Sequence, residues 1–427
     1  EFYDLVIEVA IIRPGPIQGN LAHPYLARRE GQEAIEYLDS RLEPVLKRTL
    51  GIPLFQEQML KIAMVMANFS ATQAEELRRA LSFHRSQERM QRVEKKLRTA
   101  LAANGVADAV AAKLIGAITS FALYGFPESH AISFALITYA SSWLKVHRPA
   151  EFYVGLLNNQ PMGFYAPATL LKDAQRHHLR VQPVSVTESD WFCTIETDHA
   201  IRLGFCLSQG LQHEHVESML MERRRAAFRG FWDFRSRTRF DQDELRLLAR
   251  SGALNPLAGH RRNALWLVEG TFQQGELFPP TEVQGPLAPM APVERLEADF
   301  ATLRLTTGPH PMAYLRKGLG NAVWRSADLL QAADGTRLRV GGLAICRQRP
   351  GTAKGIVFIS LEDETGIANV VVYPELFERC RLVITQESFL LVEGILQVRS
   401  DVIHLRAESI ERLPTFALTT SGSHDFH

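Results

Sequence analysis

The sequence predicts a multidomain chain, mainly α-helical, that closes in a small β-barrel. Three observations carry this reading. Residues 1 to about 155 repeat apolar side chains at helical spacing. Residues 337–413 alternate in strand fashion. Between them, from Thr271 to about Pro292, Pro, Gly and Gln accumulate and mark a linker. A length of 427 residues suits two to four domains, and a chain that is 46% hydrophobic and 22% charged has the make-up to bury a core. With 48 basic and 47 acidic residues the net charge is +1, so any nucleic-acid reading rests on local clusters rather than on the total.

The helices follow in order. "PLFQEQMLKIAMVMANFS" ends at Asn68 and Ser70. "TQAEELRRALSFHRSQERMQRVEKKLRTALAANG" comes next as one helix, with Thr72 as its N-cap, Glu75 completing a capping box and Asn104-Gly105 closing it. A third helix runs from Val106 to Phe121. In "YGFPESHAISFALITYASSWLKVHRP" a tight turn precedes Ser129, read as an N-cap, and Ile132, Leu136, Tyr139 and Trp143 form a stripe expected in the core. Free N–H groups and the positive end of this helix beside Ser129 and His130 suit a phosphate. A helix near Ala166–His178 and a short strand lead into short helices with Gly turns, from about Trp191 to Glu269. About five strands then follow, with a helical segment (Glu375–Val383) before the fourth, the pattern of a Greek-key barrel such as an OB-fold.

Charge and chemistry are unevenly placed. Between Arg78 and Arg98 eight basic residues stand against two acidic ones, which fits either a solvated helix or phosphate contact. "MERRRAAFRGFWDFRSRTR" carries seven Arg with Phe228, Phe231, Trp232 and Phe234 interleaved, which fits nucleic acid or core equally. The D-x-D of "FDQDELRLL" (Asp241, Asp243) reads as a helix cap, and Glu362, Asp363 and Glu364 read as a solvated barrel turn. His177, His178, His213 and His215 have no Cys or carboxylate at ligand spacing, so no zinc site is expected. Cys193, Cys206, Cys346 and Cys380 show no close pairs, which points to a reducing cytoplasm. No signal peptide or transmembrane-length apolar run stands out. The chain opens at Glu1, without Met, straight into apolar "FYDLVIEVAIIRPGP", which reads as the middle of a domain and suggests a fragment.

The ordered motifs "IIRPGPIQ", "LFQEQMLKIA", "AEELRRAL", "YGFPESHAISFAL", "WLKVHRPAEF" and "LLNNQPMGFYAPATL" carry a resemblance. The chain resembles the C-terminal part of the alpha subunit of bacterial DNA polymerase III, a family C DNA polymerase. Its "NNQPMGFY", its "CRQRPGTAKGIVFISLEDETGIANVVVYP" and the end "HDFH" soon after the barrel are most similar to the error-prone branch used in damage tolerance. That resemblance implies fingers over 1–190, incomplete at the N-terminus, and tandem helix-hairpin-helix units over 191–269. A connector over 270–335, an OB-fold over 336–413 and a tail over 414–427 complete the order.

The resemblance also implies roles. Arg78 and Arg79 face the incoming triphosphate, with Ser129, His130 and Phe134 at the same nucleotide; many replicative relatives carry Tyr where Phe134 stands. Arg13 and Lys145 contact triphosphate or template backbone, and Arg85 keeps the charge of a run that is Lys-rich in replicative relatives. Gly210 and Gly252 mark the two hairpin turns toward DNA phosphate, with Gln212 in place of a second Gly where positive φ would be strained. Arg347, Arg349, Lys354 and Phe358 are candidates for the single-strand face of the barrel. Gln274, Leu277 and Phe278 in "QGELF" resemble a sliding-clamp peptide. The implied activity is template-directed nucleotide addition to a primer 3′ end, with primer-template DNA and dNTP as partners and other mutagenesis proteins as further ones. Its Mg²⁺ is held by aspartates expected upstream of Glu1, so that no metal site or catalytic carboxylate is expected in this chain. The alternative is a free-standing, non-catalytic DNA-binding accessory module. An RNA-binding barrel protein would account for residues 337–413 only.

Overall fold

The computed structural model describes residues 1–12, 22–82, 87–121, 126–163, 165–270, 285–350, 353–399, 402–413 and 424–426. They divide into two compact units, Glu1–Trp143 and Leu144–His427. The first is helical: α1 (Phe2–Ile11), α2 (Ala22–Arg29), α3 (Glu43–Leu46), α4 (Gln56–Ala67), α5 (Ala71–Ser82), α6 (Gln87–Ala103), α7 (Asp108–Phe121) and α8 (Glu128–His147), which runs on into the second. Asn68 ends α4 in the left-handed region at φ 53, and Gly105 does the same after α6 at φ 68. The Asn104 amide donates to the Met66 carbonyl at 3.1 Å and ties those two helix ends together.

The basic stretch forms two helices where one was expected, and α5 and α6 pack on each other and on α4. The cap of α5 is Ser70 rather than Thr72. Its hydroxyl accepts the Gln73 N–H at 3.3 Å while Gln73 Oε1 accepts the Ser70 N–H at 2.9 Å, a reciprocal box that starts earlier than the sequence suggested. Met59, Ile62, Met66, Leu77, Leu97 and Leu101 fill the core between these helices. A second core gathers Val6, Ile7 and Phe55 with Ala131 and Ala135 of α8. The stripe expected in the core is on the surface: Ile132, Leu136, Tyr139 and Trp143 are 40%, 58%, 56% and 47% exposed. Two alanines a turn apart let α8 lie close against the Phe55 core, and the large side chains one residue on point about 100° away.

The second unit begins with α9 (Pro149–Asn158), α10 (Pro167–Arg176) and a small sheet of β1 (Arg180–Gln182), β2 (Thr194–Thr197) and β3 (Ala200–Arg202), ordered β1-β3-β2. Helices α11 (His213–Arg225), α12 (Phe231–Arg237), α13 (Gln242–Ser251), α14 (Asn255–Ala258) and α15 (Arg261–Glu269) follow, then α16 (Pro292–Leu303) and α17 (Pro311–Leu319). Phe228, Phe231, Trp232 and Phe234 all lie in the core of this region, which decides the ambiguity of the Arg-aromatic run toward packing. The Arg237 guanidinium covers the Phe228 ring at 4.7 Å.

The barrel consists of β5 (Arg337–Gln348), β6 (Val357–Glu362), β7 (Ile367–Val372), β8 (Phe389–Arg399) and β9 (Val402–Arg412), with β4 (Val323–Trp324) beside β5 and β10 (His424–Phe426) paired to its end. The order β5-β6-β7-β9-β8 is closed by β5 pairing with β8, and β7 runs parallel to β9. Helix α18 (Pro374–Gln386) crosses between β7 and β8. This is the closed Greek-key barrel of the OB type that the alternation predicted.

Of the three acidic residues of the turn expected in solvent, two are buried, and Glu364 is half-buried against Arg316. Glu362 and Asp363 are each 1% exposed. Asp363 Oδ1 accepts from the Thr365 N–H, the Thr365 hydroxyl and the Gly366 N–H at 2.7, 2.7 and 3.0 Å, and Oδ2 accepts the Ser326 N–H at 2.7 Å. Glu362 takes the Arg176 guanidinium of α10 at 2.8 Å. Beside them Lys172 of α10 donates to Gln175 Oε1 and to the Thr306 and Gly308 carbonyls at 2.8, 2.9 and 2.5 Å. Burial pushes its ammonium down to about 8, against the opposing pull of Glu362 and Asp299. Between that value and the ordinary 10.5 the unfolded chain keeps a proton that the folded chain has released. Wild-type stability relative to Lys172→Met therefore rises with pH through this window, by up to about 1.4 kcal/mol per pH unit, which urea denaturation at stepped pH measures.

Candidate nucleic-acid interface

In the first unit Arg78 and Arg79 lie on exposed surface near the end of α5. Arg78 grips Glu75 through Nε and Nη2 at 2.8 Å each, and Arg79 Nε reaches the same carboxylate at 3.2 Å. These hydrogen bonds hold Glu75 down at about 2, so it stays ionised and two guanidinium groups share one carboxylate. Exposed pairs of this kind contribute little to stability and exchange readily for another anion.

Helix α8 starts at Glu128, so Ser129 lies inside its first turn and does not cap it; the Ala131 N–H goes back to the Pro127 carbonyl at 3.1 Å. The Glu128 N–H donates to Glu57 Oε2 at 2.8 Å, and Tyr3 donates to Glu128 at 2.5 Å. A carboxylate of α4 therefore already sits at this helix entrance. Ser129 and His130 are exposed. The His130 ring meets Phe126 at 5.1 Å and Phe134 at 4.5 Å, edge to face, and Phe134 is 47% exposed. Helix α4 thus serves both places: its first turn bonds the entrance of α8 and its flank packs on α5. Arg13 and Arg85 lie outside the described residues, as do Gln274, Leu277 and Phe278.

In the second unit Lys145 pairs with Asp173 at 2.7 Å, and Tyr153 donates to the same oxygen at 2.7 Å. Gly210 takes φ 102 on exposed surface before α11. Gln212 has φ −83, so the strain expected there is absent. Its N–H is nevertheless engaged, donating to Glu244 Oε1 at 2.9 Å. Glu244 Oε2 meets His215 Nδ1 at 2.7 Å and accepts the Asp241 N–H at 3.0 Å, and Glu244 is 3% exposed. A carboxylate of α13 thus occupies the anion position at the entrance of α11. Asp241 Oδ1 accepts the N–H groups of Asp243 and Glu244, and Asp243 pairs with Arg246, so this D-x-D is a helix cap and does not fit a metal pair. Gly252, at φ 87, is buried, and a Cβ there would stand 2.8 Å from Arg261 Nε, which Asp299 holds in place through Nη2 at 2.6 Å.

On the barrel the register separates the candidates. A bulge between Ala344 and Cys346 reverses the alternation of β5, so Arg347 points inward, 9% exposed, and donates to the Glu387 carbonyl at 2.6 Å. Arg347 is therefore not on the open face. Gln348, Phe358, Val371 and Arg406 stand in one row across β5, β6, β7 and β9. Phe358 is 40% exposed. Arg349 lies over the Phe377 ring at 4.5 Å, and Lys354 is exposed in the turn before β6. Gln348, Val371 and Arg406 were missed because only the bulge and the pairing place them with Phe358.

Hairpin helices joined to an OB-type barrel define a chain built from nucleic-acid-binding modules. Residues 1–105 match the bacterial DNA polymerase III alpha subunit finger domain, residues 178–264 the helix-hairpin-helix motif, and residues 343–413 the OB-fold nucleic acid binding domain. Error-prone DNA polymerases are similar along the whole chain: 44% identical over 432 residues in Dechloromonas aromatica (strain RCB) and 45% over 436 in Pseudomonas fluorescens (strain Pf0-1). That of Anaeromyxobacter sp. (strain K) is 44% identical over 446 residues. The chain is thus similar to the error-prone paralogues of the polymerase III alpha subunit, and it spans about 42% of the length of the first two relatives. Among the described residues no helix is long and apolar enough to cross a membrane.

Removing the carboxylate that holds the first hairpin strands three donors at once. Glu244→Ala is expected to lower the stability of this unit by about 3 kcal/mol, read as a shift in the urea midpoint.

Proposed function

We propose that this chain is the nucleotide- and DNA-handling portion of an error-prone family C DNA polymerase, which extends a primer 3′ end opposite damaged template. The observation that carries the reading is identity of 44–46% to error-prone DNA polymerases over 96–100% of the chain, together with the finger-domain match at residues 1–105. Arg78 and Arg79 would exchange Glu75 for the incoming triphosphate and stabilise the charge that builds on pyrophosphate as the bond to the leaving group breaks. Ser129, His130 and Phe134 would line the same nucleotide, the aromatic pair against its sugar or base. The row through Phe358, flanked by Arg349 and Lys354, would carry single-stranded template by stacking and charge. Mg²⁺ would supply the activation of the primer hydroxyl and the neutralisation of phosphate charge in the complete enzyme, held by carboxylates outside this chain.

Primer extension beside a DNA-binding assay tests the reading. The chain alone is expected to bind primed DNA without extending it, and the full-length polypeptide to extend it. In that full-length protein Arg78→Ala and Arg79→Ala are expected to lower kcat/KM for dNTP by about 10²–10³. A full-length protein that binds DNA but never extends a primer would make the chain an accessory module instead.

Phe358→Ala is expected to weaken binding of a single-stranded oligonucleotide by about 5- to 100-fold, one stacked base lost, in a fluorescence anisotropy titration. Arg347→Ala should instead lower the barrel's unfolding midpoint, since its side chain faces the interior.

A further inference from the structure

The four cysteines have no close pairs in sequence, yet the fold brings two of them together. Cys193 lies just before β2, and Cys206 lies in the turn after β3. The antiparallel pairing of β2 with β3 lays these flanks side by side. The Gly204 N–H donates to Cys193 Sγ at 3.3 Å, and the Cys206 N–H donates to the Trp191 carbonyl at 2.8 Å. A Cβ on Gly204 would stand 2.5 Å from the Cys193 nitrogen, so the two segments touch backbone to backbone. Across this contact Cys193 Sγ is met by the backbone two residues before Cys206, so the two thiols are neighbours. Cys193 is 3% exposed, and Cys206 is only half-buried.

We propose that Cys193 and Cys206 are a peroxide-sensitive thiol pair that closes to a disulfide at the entrance of the hairpin region. Cys206 is the sulfur a small oxidant reaches. The neighbouring Cys193 thiol lowers the Cys206 thiol from its ordinary range, and Cys206 together with burial pushes Cys193 up. The Cys206 thiolate attacks one oxygen of hydrogen peroxide, the O–O bond breaks, and sulfenic acid and hydroxide form. The Cys193 sulfur then attacks the Cys206 sulfur, the S–O bond breaks, and the oxygen leaves as water with the proton from the Cys193 thiol. Two thiols and one peroxide give one disulfide and two waters. Asn158, the last residue of α9, holds the Cys193 N–H and carbonyl at 2.8 and 2.9 Å. Adjustment on oxidation therefore falls on the 204–206 turn, which leads to Gly210 and α11. Cys346 and Cys380 lie on β5 and α18 of the barrel and take no part.

The test is peroxide titration of the whole purified chain, followed by alkylation and peptide mass spectrometry. The wild type is expected to fall from four free thiols to two, to yield a linked Cys193–Cys206 peptide, and to recover its thiols with dithiothreitol. A Cys346→Ser/Cys380→Ser double variant should form the same link. Cys193→Ser should stop at a sulfenic acid on Cys206, which dimedone labels, and Cys206→Ser should give neither product. Wild-type chain in which Cys206 goes to sulfinic acid with no linked peptide would overturn the proposal. So would dimedone label on Cys193 in Cys206→Ser. The wild-type peptide map decides the matter even if a variant folds poorly.

Discussion

Asp363 fills a turn of the barrel with five hydrogen bonds, three from its own turn, one from the segment that precedes β5 and one from Arg316 of α17. The architecture of the second unit depends on this buried carboxylate and on Glu362 beside it. Through Arg176 the pair reaches α10, and through Arg316 it reaches α17. Buried charges of this kind are costly to desolvate and are retained only when every oxygen is met. Here they are met by groups from three separate stretches of chain, so the barrel takes a defined seat against the helices. A greasy contact of the same size would hold the parts together with less control of angle, because it has no directional partners.

A second regularity concerns anions. The entrance of α8 holds Glu57, the entrance of α11 holds Glu244, and Arg78 with Arg79 holds Glu75. Each is a place where positive charge or free N–H groups would suit a phosphate, and each is occupied by the chain's own carboxylate. Glu75 is exposed and can be displaced, whereas Glu244 is buried under three partners and cannot leave without loss of structure. The same chemistry therefore serves exchange at one place and architecture at another. Burial decides which, since an exposed pair is screened by water and a buried one is not.

Much of the chain was legible because it is written locally. Asn68 and Gly105 end helices through their own left-handed backbone, Asp241 caps α13 through neighbouring N–H groups, and the alternation of residues 337–413 follows from the pleat. The candidate residues of the first unit, Arg78, Arg79, His130 and Phe134, were drawn from short motifs in the same local way. Failures came where a distant partner outvotes the local pattern. The stripe of α8 has helical spacing, but Ala131 and Ala135 are what meet the core. Arg347 alternates correctly until a bulge across from β6 reverses it.

The amino-acid sequence by itself determined where several helices stop, which segments form the barrel strands, and that the helical part precedes the barrel, because capping, backbone φ and side-chain period are set within a few residues. Tertiary structure alone decided that Glu362 and Asp363 of "LEDETG" are buried, that Cys193 lies against the 204–206 turn, that the aromatic residues of the Arg-aromatic run are core and that Gln348, Phe358, Val371 and Arg406 share a row. Those outcomes depend on pairings between segments far apart in the chain, and the free energy of such a pairing belongs to both partners and is written in neither one alone.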